Sequence, residues 1–140
     1  MPRFMLDTDT CSYIMKRSQP QVLKRLQSVP VGDVCMSVVT RAELLYGVRV
    51  SPRHDQDAAA LAAFLPFVET LDLTDDVATH YAEIRADLKK RGAMIGANDL
   101  FIAAHARARD LTLVTNNVAE FERVRGLSLE NWTVPSRRRR

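Results

Sequence analysis

Short apolar runs alternate along the chain with stretches of helical periodicity. Arg3 to Leu6 ends at Asp7, and Val34 to Val39 ends at Thr40; both read as buried strands. Thr70 to Leu73 is a third candidate strand. Leu111 to Thr115 is a fourth, rich in β-branched residues and followed by the turn formers Asn116 and Asn117. Between them, Val77, Tyr81, Ile84 and Leu88 follow helical spacing, with Asp75 and Asp76 in the first turn and Lys89, Lys90 and Arg91 in the last. Gly92 supplies a C-cap for that helix. Ser18 to Ser28, Thr40 to Val50, His54 to Phe67 and Asn98 to Arg109 read as further helices, with Pro20 and Pro52 near helix starts. Strands alternating with helices predict an α/β fold with a mostly parallel central sheet flanked by helices.

A length of 140 residues suits a single domain. The expected division is a domain over 1–135 and a basic, disordered tail over 136–140. Without Arg137 to Arg140, sixteen Lys and Arg face seventeen Asp and Glu, a balance of −1, so the overall +3 belongs to that tail. No apolar run reaches the roughly 18 residues of a membrane span, and the first ten residues lack a signal-peptide core, which predicts a cytoplasmic protein without a membrane partner. Cys11 and Cys35 have no metal-site spacing and read as reduced packing residues. His54, His80 and His105 are scattered, no Ser or Cys stands in a nucleophile motif, and the glycines form no phosphate-binding loop.

What remains is a set of acids at strand ends and helix starts. Asp7 follows the first strand, Glu43 sits just after the second, Asp99 opens a helix, and Asn117 with Glu120 follows the fourth strand. In an open parallel sheet these positions line one crevice. Carboxylates gathered in a partly dry pocket repel one another, and hard oxygen ligands suit Mg²⁺ or Mn²⁺. Each residue also has a structural reading. Thr40 to Glu43 matches a capping box, Asn98 an N-cap with Asp99 as a dipole-compensating acid, and Asn117 with Glu120 repeats that capping pattern. Asp7, joined by Asp9, has no such ready explanation. Lys89, Lys90 and Arg91 offer phosphate contacts, although a last helical turn is an ordinary place for cations.

Taken together, FMLDTDTCSYI (4–14), SVVTRAELLYGV (37–48), GANDLFIAAHA (96–106) and LVTNNVAEFERVRGL (113–127) resemble, in order, the motifs of VapC-like PIN-domain ribonucleases. These are the toxins of bacterial and archaeal toxin–antitoxin pairs. The resemblance runs from Phe4 to about Trp132. It implies a PIN-like fold and an endoribonuclease dependent on Mg²⁺, with Mn²⁺ as a substitute. It further implies a cognate antitoxin protein that blocks the site, a homodimer, and a structured RNA substrate such as tRNA or ribosomal RNA, whose cleavage inhibits translation.

By the same resemblance, catalytic positions fall on Asp7, Glu43, Asp99 and Asn117, with Asp7, Asp99 and Glu43 holding the metal directly or through water. Thr115 matches the hydroxyl residue at a strand end. Two departures stand out: Asn117 occupies a position that is often Asp, and Asp9 one that is usually Asn. Asp9 and the nearby Glu120 are therefore candidates to restore the missing charge. The chemistry implied is hydrolytic attack by water, leaving 5′-phosphate and 3′-hydroxyl ends.

Two other readings compete. Asp7-Thr8-Asp9-Thr10 also spells the DxDxT signature of haloacid-dehalogenase-like phosphatases, with Asp7 as nucleophile and Asp9 as acid/base, but that reading leaves the motifs around Glu43 and Asn117 unexplained. A catalytically silent PIN-type binding module is the non-enzymatic alternative.

Overall fold

The computed structural model describes residues 1–134, so the basic tail expected over 136–140 lies outside the described residues. Five strands, β1 (Phe4–Leu6), β2 (Val34–Ser37), β3 (Glu69–Leu71), β4 (Thr112–Val114) and β5 (Ser128–Glu130), form one parallel sheet in the order β3-β2-β1-β4-β5. Among the described residues, seven helices flank it: α1 (Thr8–Lys16), α2 (Pro20–Ser28), α3 (Val38–Val50), α4 (His54–Phe64), α5 (Asp75–Arg91), α6 (Ala97–Ala108) and α7 (Val118–Phe121).

The period of two along each strand divides the core. Met5, Cys35 and Leu113 face one side, where Val77, Ile84 and Leu88 of α5 pack with Leu100 and Ile102 of α6. Phe4, Leu6, Val34, Met36 and Val114 face the other, against Cys11, Ile14, Val22, Leu44, Leu61 and Phe64 from α1 to α4. Both faces are covered, so the strands read as continuous apolar runs rather than alternating ones. Trp132 closes the second face; it is fully buried, edge-on to Phe4 with 5.4 Å between ring centroids, and its indole N–H donates to Glu130 at 3.0 Å. Cys11 and Cys35 are buried thiols, as expected. No described helix is long and apolar enough to cross a membrane.

Two elements escape the sequence reading. β5 is three residues at the sheet edge, too short to leave a pattern. α1 begins immediately after β1, and its Thr, Ser and Cys content gives it weak helical propensity. What starts it is Asp7, whose carboxylate Oδ1 accepts from the Thr10 N–H at 2.9 Å.

Three boundaries move with consequences for the site. β2 ends at Ser37 rather than Val39, and Ser37 itself caps α3, its hydroxyl accepting from the Val39 N–H at 3.1 Å. Thr40 and Glu43 are therefore inside the helix and form no capping box. α6 starts at Ala97 with Gly96 as its N-cap, so Asn98 is not the cap either. The helix expected over 54–67 ends at Phe64 and tightens into a 3₁₀ turn through Leu65–Phe67, where Pro66 has no N–H to continue it.

Candidate active site

The carboxyl ends of parallel strands and the helices that follow them face one crevice. Here they bring Asp7, Thr8, Asp9, Glu43, Asp99, Asn117 and Phe121 to the walls of a pocket of about 210 Å³. Every acid singled out from the sequence lies in or against it. Asp7 comes from the end of β1, Asp9 from the first turn of α1, Glu43 from the second turn of α3, Asp99 from the first turn of α6, and Asn117 from the turn before α7.

Asp7 lies deepest and is 4% exposed. Burial raises its pKa above the ordinary carboxylate range, while hydrogen bonds from Thr115 and Thr10 partly offset that rise. Thr115 is fully buried beneath the pocket and also accepts from the Asn117 N–H at 2.9 Å. The strand-end hydroxyl thus braces both Asp7 and the turn that carries Asn117.

Glu43 is held from two sides. Thr8 donates its hydroxyl to Oε1, and the Asn98 amide donates to Oε2 at 3.2 Å. Thr8 and Asn98 are contributors that the sequence reading did not assign to the site. Their only sequence signal is adjacency to Asp7 and Asp99, and their side-chain directions depend on helix starts that periodicity alone misplaces.

Asp99 and Glu120 form a carboxylate pair. Asn117 donates its amide to Glu120 Oε2 at 2.9 Å, whereas Glu120 Oε1 is buried without a donor. Two ionised carboxylates repel, and the contact of Asp99 with Glu120 favours the protonated form of Asp99. Burial, that contact and the negative charges of Glu120, Glu43 and Asp7 together push the Asp99 pKa up to about 8. Asn117 is thus an arm that fixes Glu120, and the departure from Asp at position 117 goes with a carboxylate one turn on.

Below the pocket, Ser37 Oγ lies 2.8 Å from His105 Nδ1, linking the start of α3 to α6. Both residues are fully buried, and burial together with the Arg109 charge lowers the His105 pKa, so the ring is neutral near pH 7. This link braces the two helices that carry Glu43 and Asp99.

The donor set is all oxygen, with no His or Cys, which is the chemistry of a hard divalent cation. The orphaned Glu120 oxygen and the raised Asp99 pKa mark a surplus of negative charge that a cation would neutralise. Among the described residues, no three His, Cys, Asp or Glu side chains are drawn close enough to enclose an ion. That arrangement fits a cation that keeps much of its water and takes one or two carboxylates directly, as Mg²⁺ commonly does.

Known proteins are similar to this chain over nearly its whole length. The family model described as PIN domain matches residues 4–127. Ribonuclease VapC2 of Haemophilus influenzae is 42% identical over 132 residues, covering 94% of this chain and 99% of the relative. The tRNA(fMet)-specific endonuclease VapC of Shigella flexneri is 41% identical over 133 residues, covering 95% and 100%. Among solved structures, DNA-bound VapBC from Salmonella typhimurium contains a chain that superimposes with a TM-score of 0.88 at 37% identity, covering 94% of this chain and 99% of that one.

Proposed function

The chain belongs to the PIN-domain family as a ribonuclease of the VapC type, and from that membership we propose that it cleaves structured RNA with Mg²⁺ at the pocket around Asp7. The observation that carries this reading is the convergence of Asp7, Glu43 and Asp99, from three separate segments, on one crevice. A tRNA is the first substrate to test, since the Shigella flexneri relative is named as a tRNA(fMet)-specific endonuclease. Cleavage of such an RNA would halt translation. PIN-domain ribonucleases generally depend on a divalent metal; Mg²⁺, with Mn²⁺ as substitute, is the choice that suits an all-oxygen pocket.

Asp7 and Asp99 are the proposed direct ligands. Glu43, oriented by Thr8 and Asn98, acts through water or as a third ligand. When bound, the cation lowers the pKa of a water and screens the scissile phosphate. The protein's own residues do the remaining work. Asp7 is held rigidly by the α1 start, so it needs little reorganisation to bind. The raised pKa of Asp99 favours its protonated form near neutral pH, and a cation held there would favour loss of that proton. Asp9 adds negative charge at the same wall, and Phe121 gives the pocket an apolar side. The displacement forms a bond from water oxygen to phosphorus and breaks the bond to the 3′-oxygen, leaving 5′-phosphate and 3′-hydroxyl ends.

The phosphatase reading is set aside by the family match, and it has no use for Glu43, Asp99 and Glu120 gathered beside Asp7. A silent binding module is distinguished by experiment. Purified protein incubated with tRNA and Mg²⁺ is expected to give fragments with 5′-phosphate ends, and Asp7→Asn to give none. Cleavage that persists in EDTA or in the Asp7→Asn variant contradicts the assignment.

The partner is a cognate antitoxin. An apolar cavity of about 550 Å³ among Ile14, Leu23, Leu26, Val29, Phe64 and Phe67 offers it a place to dock. Leu45, Tyr46 and Val50, exposed on α3, support a homodimer.

A further inference from the structure

A pocket walled by carboxylates repels the polyanion it is proposed to cut, so affinity for RNA must come from cations outside it. A cluster of basic residues lies on the end of α5 and on the segment after α7. Asp87, on α5, is shared by Arg91 at 2.5 Å and Arg125 at 3.7 Å, and the charge of Lys90 also acts on it. Arg91 donates onward to the Arg123 carbonyl at 2.5 Å, and Arg123 donates to the Met94 carbonyl at 3.1 Å. Carbonyl partners fix a guanidinium without neutralising it. Three cations therefore act on one carboxylate, with the exposed Arg123 tied to the same cluster through its backbone, and a net positive charge remains on the surface.

The position of this cluster is set by the same segments that build the pocket. Arg123 lies one turn beyond Glu120, its N–H donating to the Glu120 carbonyl at 3.3 Å. Met94 lies on the connection that leads to Gly96 and the start of α6, where Asp99 stands. Lys90, Arg123 and Arg125 are exposed and stand where phosphates of a strand entering the pocket can reach them.

We infer that Lys90, Arg91, Arg123 and Arg125 form the surface that holds the RNA backbone beside the scissile phosphate. The inference rests on the ribonuclease reading and deepens it by naming where the strand runs. Rigid guanidiniums suit phosphate oxygens, and each phosphate contact on a single strand contributes about 0.7 to the slope of log affinity against log salt.

The test uses the full chain and a fluorescent single-stranded RNA, with affinity measured by anisotropy in EDTA across KCl concentrations and cleavage measured separately with Mg²⁺. Lys90→Ala combined with Arg125→Ala alters two exposed side chains and is expected to lower the salt slope by about 1.4. KM should rise at least fivefold, by a larger factor than kcat falls. Arg53→Ala, at the start of α4, is the control for net charge and should change neither. If the parent cuts RNA and the double variant keeps its KM and salt slope, or Arg53→Ala weakens binding by as much, the basic surface is refuted while the ribonuclease reading stands. If the parent cuts no RNA, both fail.

Discussion

The Asn98 amide on α6 donates to the Glu43 carboxylate on α3 at 3.2 Å, joining two helices through residues 55 positions apart in sequence. The bond holds Glu43 toward the pocket, and Asn98 is itself exposed. Asn98→Ala should therefore lower kcat/KM for RNA about tenfold, the effect of losing one hydrogen bond to a charged group. Folding stability should change by less than about 1 kcal/mol, as for other exposed positions. Cleavage kinetics beside a urea melt check this, and a destabilised variant with parental turnover would contradict it.

Asp7 combines a helix cap with a buried negative charge, and the two roles separate by substitution. Asn caps a helix as well as Asp does and carries no charge to desolvate. Asp7→Asn should leave the cation-free protein at least as stable as the parent while lowering cleavage by about 10³-fold or more. Asp7→Ala should lose the cap as well, at a cost of about 1 kcal/mol. Thermal melts in EDTA and RNA cleavage assays read the two effects independently.

The Asp99 and Glu120 pair makes cation-free stability depend on pH in an unusual direction. Because the Asp99 pKa is raised in the folded state, to about 8, the folded chain binds a proton that the unfolded chain has released. Its contribution to stability is complete below the ordinary carboxylate pKa and is lost as pH rises toward about 8. Asp99→Asn should flatten that decline, so that in EDTA at pH 8 the variant melts higher than the parent. Melting curves at pH 5 and pH 8 for both proteins provide the comparison.

A cation held by Asp99 would have to displace the same proton. Affinity for Mn²⁺ should be higher at pH 8.5 than at pH 6.5, with proton release detectable by calorimetry in buffers of different ionisation enthalpy. Equal affinity at the two pH values would remove Asp99 from the binding site.

Trp132 seals the core face built on Phe4, yet it belongs to a segment with no part in the pocket. Trp132→Ala should cost ~3–5 kcal/mol of folding free energy, read from chemical denaturation. A loss below about 1 kcal/mol would mean that this segment adds little to the core.

The strands and helices with strong apolar patterning were legible because burial on both sheet faces demands continuous apolar runs, and amphipathic helices demand their period. The acids were legible for a related reason, since strand ends in a parallel sheet share one crevice whatever the connecting helices do. Asp7, Glu43, Asp99 and Glu120 could thus be named from order and position along the chain, and their motifs carried the family. The tertiary structure decided the rest. Whether Thr40 to Glu43 is a capping box depends on where β2 stops, and Ser37 decides that by capping α3 from a position read as mid-strand. Hydrogen bonds between distant segments have no local signature, so the hold of Thr8 and Asn98 on Glu43, and of Asn117 on Glu120, appears only once the sheet has aligned β1, β2 and β4. The raised pKa of Asp99 beside Glu120 follows from the same cause. Composition counts charges, whereas burial and proximity determine which of them the folded protein can keep.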